Sequence, residues 1–156
     1  ISMVPKPKND LELLIPATAT RRSIIDTAKS GTVKSLYILT LGYDAIIIAT
    51  GSEVQLALKA FEQLKSVGKN VRVVNMPSWE LFEKQSEAYQ ESVLPKACTK
   101  RIVIEAASSF GWERYIGKDG LAITIDHFGA SAPYKVLEQK FGFTAEAVVE
   151  KIKNYL

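Results

Sequence analysis

The stretch Asp44-Ala45-Ile46-Ile47-Ile48-Ala49-Thr50-Gly51-Ser52-Glu53-Val54 decides the fold. Ala45 to Ala49 is an unbroken apolar run with three isoleucines. It is short for a helix and rich in β-branched residues, so it reads as a strand buried on both faces. Thr50-Gly51 breaks the run, and the period changes at Ser52. Val54, Ala57, Leu58, Phe61, Leu64 and Val67 then follow one helical face. Ser52 is the expected N-cap, with Gln55 placed to complete a capping box. Gly68 ends the helix, and Val71 opens a second buried run that ends at Val74. Strand, helix and strand at this spacing form a right-handed βαβ unit, which implies a parallel sheet.

Working outward, strands are expected over residues 35–39, 101–105 and 121–125. The first is joined to the central strand by the short turn Leu41-Gly42-Tyr43-Asp44, which makes that pair antiparallel. Ser78 is placed to cap a short helix over Trp79, Glu80, Leu81 and Phe82. Further helical pieces are expected over 86–93, 112–116 and from Pro133 to Lys140, with Gly142 as a stop. Thr144 caps the last helix, whose apolar stripe is Ala145, Val148, Val149, Ile152, Tyr155 and Leu156. Residues 1–34 read as a lead-in or linker, punctuated by Pro5, Pro7 and Pro16 and holding one short helix over 20–29. Residues 35–156 then form a three-layer αβα domain of the α/β class. Its sheet is five-stranded and mostly parallel, with one antiparallel edge strand.

The chain has 156 residues, 47% apolar and 24% charged, with a net charge of +3, as expected for an ordinary globular protein. No dense basic stripe with interleaved aromatics points to nucleic acid, and no apolar run approaches a membrane span. The one cysteine, Cys98, cannot form an internal disulfide, which suits a reducing, cytoplasmic setting. One cysteine and one histidine, His127, do not supply a common zinc site.

Ligands of such folds bind beyond the carboxyl ends of the parallel strands. Gly51 and Ser52, with Ser108 and Ser109, are the candidate anion crevice there, because a helix N-terminus offers free N–H groups. The competing reading is a tight turn with a capping serine. It is favoured because neither GxxxxGK[ST] nor GxGxxG occurs. Asp126-His127 with Ser108, Ser109 or Ser131 suggests acid/base or nucleophilic chemistry, but no GxSxG elbow is present. Neighbours on a strand also point to opposite faces, so Asp126 and His127 are not expected to pair. Glu105 is a candidate functional carboxylate, or the structural partner of Arg114. Lys96 and Lys100 flank Cys98 and could lower its pKa, although an inert thiol is the better reading. Trp79, Phe82, Phe110 and Trp112 read as packing or interface residues. No complete catalytic set emerges, so the residues point to a binding, interface or accessory domain.

Several blocks carry a family resemblance. They are Ile48-Ala49-Thr50-Gly51-Ser52-Glu53-Val54, then Val74-Asn75-Met76-Pro77-Ser78-Trp79-Glu80-Leu81-Phe82, and Gly111-Trp112-Glu113-Arg114-Tyr115. Asp126-His127-Phe128-Gly129-Ala130-Ser131-Ala132-Pro133 and Phe141-Gly142-Phe143-Thr144 close the series. In this order they resemble the C-terminal domain of transketolase. Ser35-Leu36 departs from the Gly-Ala of that family's opening strand, and the segment before it does not match. Deoxyxylulose-phosphate synthase and the β subunit of 2-oxo-acid dehydrogenases are sister families with weaker likeness. The resemblance implies a full-length, homodimeric enzyme that moves a two-carbon ketol unit between sugar phosphates. That enzyme uses thiamine diphosphate and a divalent cation, usually magnesium. The family's Gly-Asp-Gly diphosphate motif and its catalytic glutamate have no match in this chain, so no catalytic, cofactor or metal residue is carried over. The implied partners are the N-terminal and middle domains of the parent enzyme.

Overall fold

Alternation along each apolar run feeds two separate cores. The computed structural model describes residues 37–38 and 44–156. The expected lead-in over 1–34, its helix over 20–29 and the turn at 41–43 lie outside the described residues. The strands are β1 (Tyr37–Ile38), β2 (Ala45–Ala49), β3 (Val71–Asn75), β4 (Arg101–Ile104) and β5 (Leu121–Ile123). The helices are α1 (Glu53–Ser66), α2 (Trp79–Glu83), α3 (Glu87–Val93), α4 (Glu113–Ile116), α5 (Tyr134–Phe141) and α6 (Ala145–Tyr155).

Four strands form a parallel sheet in the order β3-β2-β4-β5, with Ile47 of β2 level with Val73 and Ile102. Tyr37–Ile38 pairs antiparallel with β3. This corrects the expected partner, which was β2. Both edges of β2 are already taken by β3 and β4, so an incoming segment can pair only at an outer edge of the sheet, and Tyr37–Ile38 takes the one beside β3.

Ile47, Val73, Ile102 and Ile104 pack on one face against α1 and α6, through Ala57, Ala60, Leu64, Val148 and Ile152. Ile46, Ile48, Val74 and Val103 pack on the other face against Phe82, Val93, Trp112 and Tyr115. This makes three layers. The second face also buries a charge. Arg72 is only 5% exposed, and its NH1 donates to the Ser92 and Val93 carbonyls at 2.8 and 2.7 Å. The guanidinium thereby closes the C-terminal end of α3, where free carbonyls favour a cation.

The start of α1 differs from the expected capping box. Ser52 is already helical in backbone, and its hydroxyl donates to Glu53 Oε1 at 2.8 Å. The Gln55 amide bonds the Ser52 carbonyl instead (3.2 Å). Gly51, at φ 58, supplies the left-handed turn that lets the strand enter the helix this abruptly. Val67 is 52% exposed because it lies past the last helical residue and off the buried face, which Ala60 completes. Ser78 and Thr144 do cap α2 and α6, accepting from the Leu81 and Ala147 amides.

Candidate functional site at the carboxyl edge of the sheet

The loops that leave β4 and β5 are stitched together by one carboxylate. Asp126 Oδ1 accepts from the Ser109 amide at 2.7 Å and from the Ser108 and Ser109 hydroxyls at 3.0 Å each. Its Oδ2 accepts from the Thr124 hydroxyl at 2.8 Å. The Ile125 amide adds a bond to the Ala107 carbonyl at 2.9 Å. The Ser109 amide first, then the hydroxyls of Thr124, Ser109 and Ser108, hold the Asp126 carboxyl down at about 2.

A depressed carboxyl stabilises the folded form above its unfolded value of roughly 4, and that contribution is lost as pH falls through the folded one. The Ser109 amide resonance is therefore expected to titrate with a midpoint at about 2. A midpoint near the ordinary value would show that the stitch does not form in solution. Asp126→Asn should abolish the transition and speed exchange of that amide.

The four residues of the expected crevice separate into two pairs. Ser108 and Ser109 turn to Asp126, while Ser52 turns to Glu53 beside Gly51. A cleft of about 270 Å³ does open next to Ser52 and Ala106, under Leu137 and Phe141 of α5. Its polarity is wrong for an anion. Glu53 and Glu138 line it against the single cation Lys59, and neighbouring Glu105 has its carboxyl pushed up by burial and then by the charge of Glu53. The same carboxylates do not suit a diphosphate, and no group of three or more His, Cys, Asp or Glu gathers to hold a metal among the described residues.

His127 joins none of the serines. Its Nδ1 lies 2.9 Å from the Phe128 carbonyl, and its ring is 5.1 Å from that of Phe141. Asp126 and the serines thus meet without the base that a nucleophile requires. Arg114 pairs with Glu83 at 2.8 Å rather than with Glu105, and the Tyr115 hydroxyl donates to the same Glu83 oxygen at 2.8 Å. Burial and Glu83 push the Tyr115 phenol up to about 12. Cys98 follows the inert-thiol reading rather than the alternative in which Lys96 and Lys100 lower it. Burial pushes the thiol up, and it outweighs the cations that act on it, Arg101 and Arg72.

The aromatic residues divide by role. Trp79 and Trp112 meet edge to face at 4.9 Å, with Tyr115 and Phe82 alongside. Gly111, at φ 87, passes directly under the Trp79 ring, where an added Cβ would lie 2.8 Å from it. Phe110 is 85% exposed and Phe128 is 99% exposed. Phe110 was expected as packing or interface, but Phe128 was not singled out. Its available signal was an aromatic residue in a Gly- and Ser-containing loop, away from any apolar period that would bury it.

A parallel sheet covered on both faces, with its loops joined at the carboxyl edge, defines an α/β domain of the doubly covered kind. Residues 36–144 match the family described as the transketolase-like TK C-terminal domain. The chain belongs to that family. It is 54% identical over 135 residues to a transketolase of Nostoc sp., covering 86% of this chain and 20% of that protein. It is 56% identical over 111 residues to a chloroplastic transketolase of Spinacia oleracea, covering 71% and 15%. The transketolase structure from Leishmania mexicana superposes with a TM-score of 0.70 at 40% identity, over 78% of this chain and 18% of that one. The chain therefore spans a fifth or less of the length of these relatives. No helix among the described residues is long and apolar enough to cross a membrane.

Proposed function

We propose that this chain is an accessory, interface-forming domain of a transketolase. The whole enzyme transfers a two-carbon ketol unit between sugar phosphates as a homodimer, with thiamine diphosphate and a divalent cation, usually magnesium. That chemistry belongs to the N-terminal and middle domains, which are this chain's partners, and the chain alone is inactive. Neither nucleic acid nor membrane is a partner, and the setting is cytoplasmic. The domain runs over 35–156 after a 1–34 lead-in, and its five-stranded sheet ends in an antiparallel edge strand on β3.

One observation carries the interface reading. Phe110 and Phe128 stand 85% and 99% exposed on the two loops that Asp126 ties together. Exposed phenylalanines held on a stitched surface are what a docking face needs, since ordering has been completed before contact. Burying both rings against another domain contributes about 3–6 kcal/mol.

In the full-length enzyme, Phe110→Ser with Phe128→Ser is expected to lower the melting temperature and the dimer affinity. The circular dichroism of the 156-residue chain should not change. An unaltered full-length enzyme would remove the docking face. The 156-residue chain should show no ketol transfer and no saturable heat with thiamine diphosphate and magnesium. Turnover by it would overturn the accessory reading.

A further inference from the structure

Positive charge collects at the opposite edge of the sheet. There the segment before β4 and the ends of α4 and α6 enclose a cleft of about 580 Å³. Lys96, Lys100, Arg101, Arg114 and Lys118 line it, against the single carboxylate of Asp119. Such a concentration repels itself unless something compensates it.

Part of the compensation is visible. Arg101 donates from Nε to the Cys98 carbonyl (3.0 Å), from NH1 to Tyr115 (2.7 Å), and from NH2 to Leu94 and Pro95 (3.1 and 3.0 Å). Lys100 Nζ donates to the Tyr155 carbonyl at 3.1 Å and sits 4.5 Å over that ring. These two cations close the carboxyl ends of α4 and α6, each worth about half a negative charge. Glu83 neutralises Arg114 at 2.8 Å. Lys96 and Lys118 are exposed and have no carboxylate at ion-pair distance among the described residues. Glu91 also reaches this edge, where its Oε1 accepts from the Lys96 amide at 3.0 Å. With Asp119, Glu91 and both helix ends counted, an excess of roughly one positive charge remains.

We infer that this basic cleft binds a phosphate group, free or as a monoester, which Lys96 and Lys118, unpaired among the described residues, would meet. Lys96 and Lys118 meet it as mobile point charges. Ile116 and the Tyr155 ring give the organic part of an ester an apolar wall. The site is independent of the docking face, which lies at the other edge of the sheet.

The test is a titration of the 156-residue chain with inorganic phosphate and with phenyl phosphate at constant ionic strength. It follows the backbone resonances of Thr99, Lys100 and Lys118. Saturable shifts confined to this cleft are expected. Lys96→Gln with Lys118→Gln should weaken binding about tenfold or more, since each loses a charge-assisted contact. The melting temperature should hold, because neither side chain supports the fold. Lys65→Gln with Lys153→Gln, on α1 and α6, should leave binding unchanged. Tighter binding of phenyl phosphate assigns the cleft to an esterified phosphate, and equal binding assigns it to the free ion. Shifts that chloride reproduces, that never saturate, or that survive the double substitution overturn the site.

Discussion

Trp112→Ala is expected to destabilise the domain by about 4 kcal/mol, as truncation of a buried tryptophan commonly does. Trp112 is 3% exposed and fills the second core between β4 and α2. Its ring meets Trp79 edge to face at 4.9 Å and lies 6.0 Å from Tyr115. Its amide bonds the Ser109 carbonyl at 3.0 Å, so the same residue anchors the loop that presents Phe110. Denaturant unfolding measures the loss, and near-ultraviolet circular dichroism should lose the tryptophan pair signal. Trp112→Phe should recover part of the stability because it keeps an aromatic edge in the cluster. If alanine cost less than about 1 kcal/mol, the cluster would be surface packing rather than core.

Replacing Arg72 with methionine is expected to cost about 3 kcal/mol, read from the same unfolding curves. Methionine keeps the apolar stem of arginine but ends short of the guanidinium, so the loss combines the two hydrogen bonds with the space the guanidinium vacates. The two carbonyls at the end of α3 lose their donor in a place that water does not reach freely. Arg72→Lys keeps the charge but lacks the planar fork, and should restore less than half. A buried cation can sometimes be exchanged for an apolar side chain at no cost. A neutral Arg72→Met would mean that α3 relaxes and closes its own end. The spacing of Arg72 within an apolar strand marks the position as buried, but not what it binds.

That limit runs through the whole chain. Strands β2, β3 and β4 were legible because β-branched runs of this length report directly on burial. The caps at Ser78 and Thr144 were legible because a capping bond spans three residues and depends on local backbone alone. Gly142, at φ 72, stops α5 by the same local rule. The ordered motifs from Ile48 to Thr144 were enough to suggest the family that the comparison over residues 36–144 then showed.

What the sequence could not decide was which polar group finds which partner. Ser52 had two options, a backbone amide or its neighbour Glu53, and it takes Glu53. Ser108 and Ser109 turn to Asp126, 18 and 17 residues away, because two parallel strands bring those loops together. Arg114 reaches Glu83 across 31 residues because α2 and α4 pack on the same face of the sheet, and it does not reach the strand-end Glu105. The elevated Cys98 thiol is likewise a burial effect that its flanking lysines cannot report. The sequence by itself determined the elements and the family, since those rest on short-range periodicity. Only the tertiary structure decided the pairing of charges and hydroxyls, and with it the acidic and basic edges of the sheet. Those pairings depend on distances between segments that chain order does not specify.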